Sequence, residues 1–104
     1  MSSPYVIVLT TAGDTSSARE IGRALLEERL AACVQLIPIS SMYTWKGEVS
    51  EEDEVLLLVK TRARHYAEVE ATIRSLHSYE VPEIVSIPID GGLPAYLGWI
   101  DEVT

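Results

Sequence analysis

At 104 residues and 11.5 kDa, with 47% apolar residues, the chain has the size and composition of one domain spanning residues 1–104 around a real core. Sixteen acidic residues against eight basic ones leave a formal charge of −8, which disfavours nucleic acid and anionic membrane as partners. No apolar run is long enough to cross a bilayer and no secretory pattern opens the chain. The single cysteine, Cys33, has no intrachain disulfide partner, so the expected location is the cytoplasm.

Residues 5–10, Tyr-Val-Ile-Val-Leu-Thr, read as a buried strand. Asp14 can cap a helix and Ser17-x-x-Glu20 has capping-box spacing, so a helix starts between them. Ala18, Ile21 and Leu25 form its apolar face, and it ends near Arg29. Residues 33–45 are extended, with Pro38 marking an edge strand or bend. Trp45-Lys46-Gly47-Glu48 supplies a turn, and residues 54–61 return as the second strand of a long hairpin. The carboxylates at residues 48–54 read as a solvated turn.

Residues 64–77 carry Tyr66, Val69, Ile73 and Leu76 at helical spacing. Pro82 closes the following loop, residues 83–89 are a fourth strand, and Pro94 opens a short last helix. The order is β-α-β-β-α-β plus a C-terminal helix, an α+β, ferredoxin-like split βαβ arrangement on an antiparallel sheet. Both long helices then cover one sheet face. Residues 6–9 and 55–59 are nevertheless apolar at every position, so the second face also needs cover, and self-association is the simplest source.

The soft ligands are Met1, Cys33, Met42, His65 and His77, and none forms a Cys-x-x-Cys, His-x-His or His-x-x-x-His pair. Cys33 reads as a packed small hydrophobe and His65 as a surface residue. His77, at a helix end, is the one candidate metal ligand, for copper or zinc. No nucleophile elbow, P-loop or dinucleotide fingerprint occurs, so the chain is expected not to be an enzyme. Tyr43 and Trp45 share one face of the hairpin as an oligomer contact or one wall of a ligand cleft. Lys60 and Glu83 form either a structural salt bridge or, with His77 and Tyr79, part of a cleft bordered by a neighbouring subunit.

Leu30-Ala31-Ala32-Cys33, Tyr43-x-Trp45-x-Gly47, Lys60-Thr61, His77-x-Tyr79-x-x-Pro82-Glu83 and Tyr96-Leu97-x-Trp99 together resemble the CutA family of divalent-ion tolerance proteins. The resemblance implies a subunit akin to the PII signalling proteins, assembled as a homotrimer whose hairpins wrap neighbouring subunits. It implies a role in divalent-metal tolerance, copper especially. Some relatives are credited with a copper site of one first-strand cysteine and two consecutive histidines ending the second helix. The matching positions here are Thr10, Leu76 and His77, so two of those three ligands are missing. The leading expectation is a trimeric metal-response protein. The alternatives are a PII-like sensor of a small anionic metabolite in the intersubunit cleft, using Lys60 with Tyr43 or Trp45, and a structural interaction module.

Overall fold

The structure is a computed structural model that describes residues 3–104, so Met1 lies outside the described residues. The chain runs β1 (Tyr5–Ala12), α1 (Thr15–Glu27), β2 (Cys33–Trp45), β3 (Glu48–Arg62), a short 3-10 turn (Ala63–His65), α2 (Tyr66–Leu76), β4 (Ile84–Pro88) and α3 (Pro94–Val103). The strands form one sheet in the order β2-β3-β1-β4 with every pair antiparallel. That is the expected split βαβ arrangement. β2, with Pro38, is an edge strand, where a missing backbone N–H costs no ladder bond.

Side chains alternate across each strand, and the two faces differ sharply. Val6, Val8, Thr10 and Ala12 of β1 and Val55, Leu57, Val59 and Thr61 of β3 are buried on the face covered by helices. There they meet Ala18, Ile21 and Leu25 of α1 and Val69 and Ile73 of α2. Asp14 caps α1 by accepting the Ser17 N–H at 2.7 Å, as its position before the apolar face requires. The Thr61 hydroxyl donates to the Leu30 carbonyl at 2.6 Å, tying the end of β3 to the chain that enters β2.

Ile7, Leu9, Leu56, Leu58 and Lys60 point to the opposite face. α3 covers only one end of it. Tyr5 donates to Asp101 at 2.7 Å, Arg62 donates to Thr104 Oγ1 at 3.0 Å, and Ile100 is fully buried. Past that end the surface stays apolar, with Ile37, Val85 and Ile87 more than two-fifths exposed around the half-buried Leu9, Leu56 and Leu58.

Several local expectations change. The acidic residues 48–54 are not a turn but the first half of β3, paired with β2 from Trp45↔Glu48 to Ile39↔Glu54. The carboxylates of Glu48, Glu51, Glu52 and Asp53 tolerate a strand because this part of the hairpin projects beyond β1, whose last partner is Val55, and so is open to water, whereas Glu54 beside that end is buried. α2 begins at Tyr66 because residues 63–65 wind more tightly, and β4 is shorter than residues 83–89. His65 is buried, not superficial, with its Nε2 3.4 Å from the Arg62 guanidinium.

Candidate functional site

The sequence-predicted site residues separate into two corners at opposite ends of the sheet. The first lies where β1 ends. His77 caps α2 with an extended backbone, φ −83° and ψ 139°, which turns the following loop toward β1. Its Nε2 is 2.6 Å from the Thr11 carbonyl, and its Nδ1 accepts the Tyr79 N–H at 3.1 Å. A carbonyl only accepts, so Nε2 is the donor in this pair, while Nδ1 accepts. Both ring nitrogens are thereby engaged. A metal at either one has to displace a backbone partner.

Tyr79 packs against His77 with the rings tilted 56° and their centroids 4.5 Å apart, and passes Gly13 on its way to β3. Its hydroxyl donates to Glu54 Oε2 at 2.8 Å. Glu54 is only 8% exposed, so this phenol is a principal source of stabilisation for its carboxylate. Burial pushes the Tyr79 phenol well above its ordinary value, and the bond to Glu54 and the nearby charges of Glu54 and Glu52 add to the effect. Strand register sets Tyr43 on the hairpin face that carries Glu52 and Glu54, and desolvation and then Glu52 raise its phenol in the same direction. Trp45 lies further out, at the hairpin tip, where the Lys46 ammonium is 5.7 Å from its ring centroid.

Lys60 belongs to the other corner. It pairs with Ile7 on one side and Cys33 on the other, and its ammonium lies 5.5 Å from the Tyr96 ring centroid. Glu83 directly precedes Ile84, whose partner is Thr10, so strand register holds it at the His77 end. The expected Lys60–Glu83 pairing is therefore corrected. Among the described residues the ion pair is Arg62 with Asp101, at 4.0 Å. The four-residue cleft of Lys60, His77, Tyr79 and Glu83 likewise does not form within one chain. Cys33 is half-buried beside Lys60, less enclosed than a packed hydrophobe.

Sequence reasoning gave no site role to Glu54, which stood where the solvated turn meets the strand 54–61, or to Tyr96, which it named within the Tyr96-Leu97-x-Trp99 motif. The one signal for Glu54 was its contact in sequence with the apolar run that follows. A cavity of about 40 Å³ lies between the start of α1 and His77, with Ser17, Glu20, His77 and Ser78 as its polar lining. It has room for a water molecule. Among the described residues no group of three or more His, Cys, Asp or Glu is placed to hold a metal. Thr10 is fully buried with its hydroxyl unpartnered among the described residues, and Leu76 offers no donor. These residues do not fit a cysteine and two-histidine copper site.

A family model described as CutA1 divalent ion tolerance protein matches residues 6–103. The chain belongs to the CutA family. It is 48% identical to the divalent-cation tolerance protein CutA of Thermus thermophilus over 99 residues, which is 94% of this chain and 96% of the relative. It is also 48% identical to mouse protein CutA over 88 residues, covering 84% of this chain but 50% of the mouse protein. This CutA chain thus spans half the length of that relative. Among solved structures, the periplasmic divalent cation tolerance protein CutA from Archaeoglobus fulgidus superposes with a TM-score of 0.94 at 40% identity, covering 95% of this chain and 97% of that one. CutA1 from a psychrotrophic Shewanella gives 0.96 at 34% identity, covering 100% and 98%. The expected antiparallel α+β fold and the family are both upheld.

Proposed function

We propose that this CutA chain acts by binding, not catalysis, as a cytoplasmic homotrimer in the divalent-cation response. One observation carries the reading. The sheet face opposite α1 and α2 keeps an apolar strip of Leu9, Leu56, Leu58, Val85 and Ile87 that α3 leaves uncovered. Continuous exposed apolar surface of this kind marks an association site, and three-fold closure is what the family resemblance implies. A divalent metal, copper or zinc, is held weakly, either by His77 with nearby carboxylates or by groups from two subunits. Both His77 nitrogens already have backbone partners, so a metal there has to displace one, which fits weak binding.

Sedimentation velocity at micromolar concentration should show a species of about three times 11.5 kDa. A folded monomer there overturns the assembly. Calorimetry with copper and zinc should show weaker binding by His77→Ala with the trimer intact, and equal affinity removes His77 as a ligand. A second reading, a sensor of a small anionic metabolite between subunits, is favoured by Lys60, whose ammonium lies near the Tyr96 ring with no carboxylate in ion-pair range among the described residues. Thermal stabilisation by nucleotides that is lost in Lys60→Ala tests it.

A further inference from the structure

The open sheet face sorts its charges to its two ends. Glu48, Glu52 and Glu54 alternate toward this face at the hairpin end of β3, Lys60 and Arg62 do so at the other end, and the apolar Leu56 and Leu58 lie between. Arg62 is engaged by Thr104 and Asp101 of α3. Lys60 is half-buried, with its ammonium 5.5 Å from the Tyr96 ring centroid and no carboxylate in ion-pair range among the described residues.

Glu54 has the complementary shortage. A carboxylate offers about four acceptor sites, yet among the described residues Glu54, 8% exposed, accepts one side-chain hydrogen bond, from the Tyr79 hydroxyl, and pairs with no cation. A buried carboxylate held by one neutral donor is costly. The two groups cannot satisfy each other within one chain, because positions 54 and 60 of one extended strand lie ~20 Å apart.

We propose that Lys60 of one subunit pairs with Glu54 of its neighbour, so that the Tyr79–Glu54 corner is completed only by a second copy of the chain. This inference rests on the trimer proposed above. Burying Leu9, Leu56 and Leu58 between subunits draws both ends of the strip into the contact, where an unpaired ammonium and an under-supported carboxylate would each oppose assembly. In a ring each subunit meets its two neighbours through different surfaces, so a face with opposite charges at its ends can close head to tail. The completed corner holds the neighbour's ammonium, the Glu54 carboxylate and the Tyr79 phenol, whose ring packs on His77. Assembly is thereby coupled to the order of the His77 corner. A lysine held in this way is not free for an anionic metabolite.

The test is a double-mutant cycle on denaturant-driven dissociation of the native protein, followed by sedimentation velocity at fixed chain concentration, with Lys60→Met, Glu54→Gln and the two combined. Each single substitution leaves the other group without its partner and should weaken assembly about tenfold or more. The combined variant should lose far less than the product of the two. Glu48→Gln, at the exposed tip of the same face, should act independently of Lys60→Met. Lys60→Arg, which leaves the buried Glu54 untouched, should keep most of the resistance to dissociation that Lys60→Met loses. Independent effects of Lys60 and Glu54 overturn the proposal, as do equal coupling to Glu48 and an equal loss in Lys60→Arg. A wild type that sediments as a monomer refutes the trimer itself, whereas an intact trimer with independent losses refutes this contact alone. Independent losses together with nucleotide stabilisation that Lys60→Met abolishes would overturn it in favour of a bound anion.

Discussion

Tyr79 couples three parts of the chain, since its ring rests on His77, its backbone N–H bonds that imidazole, and its hydroxyl reaches Glu54. Removing the hydroxyl leaves a buried carboxylate short of a donor, so Tyr79→Phe should lose about 1.5–3 kcal/mol at neutral pH by urea denaturation. The phenol's folded pKa lies above its ordinary 10.0, so the protonated form is the stabilised one. Its contribution is complete below pH 10 and disappears as the pH rises through the folded value. The wild-type alkaline fall in stability should therefore be shallower in Tyr79→Phe. It should not vanish, because Tyr5, Tyr43 and Tyr66 are raised as well. Thr10 presents the opposite case. Its buried hydroxyl has no hydrogen-bond partner among the described residues, so Thr10→Val keeps the shape and removes the desolvation penalty, and should stabilise by about 1 kcal/mol. The urea midpoint at fixed protein concentration should rise with no change in slope, and a fall would mean that the hydroxyl has a partner.

At the scale of elements, the β2–β3 hairpin depends on two residues. Lys46 and Gly47 both have positive φ, 51° and 81°, as a two-residue hairpin turn of matching twist requires. Gly47→Val places a β-branched side chain in that region and should cost about 1–2 kcal/mol. The measurement is limited proteolysis at the tip, expected to be faster than in wild type. An unchanged rate would show that the turn does not limit local opening. This same turn explains why the acidic strand was misread. Glu and Asp are poor strand formers, but once Trp45 is set opposite Glu48 the register continues residue by residue down the arm. The run of charge indicated water around these residues, which holds for Glu48, Glu51, Glu52 and Asp53 but not for the buried Glu54.

For the whole molecule, the open sheet face is the surface assigned to the proposed trimer. Leu58 sits near its centre, opposite Leu9 on one side and Gln35 on the other. Leu58→Asp places a charge there that an isolated subunit can solvate and a buried interface cannot. Native-like circular dichroism with a mass of about 11.5 kDa is expected by light scattering. A variant that stays trimeric would move the interface elsewhere on the surface.

The elements themselves were legible because their signals are local. Asp14 caps its helix through a bond three residues away, Pro38 falls on an edge strand, and Gly47 takes the turn. The apolar runs of β1 and β3 also foretold a sheet with both faces in need of cover. Which residues meet was another matter. Register carried Lys60 to the Tyr96 end and left Glu83 at the His77 end. Folding buried His65 and Glu54, and it placed α3 over part of the open face. Those outcomes depend on pairings across tens of residues, such as Tyr79 with Glu54 and Tyr5 with Asp101. Propensity and spacing act over a turn or a strand, so only the packed tertiary structure could decide them.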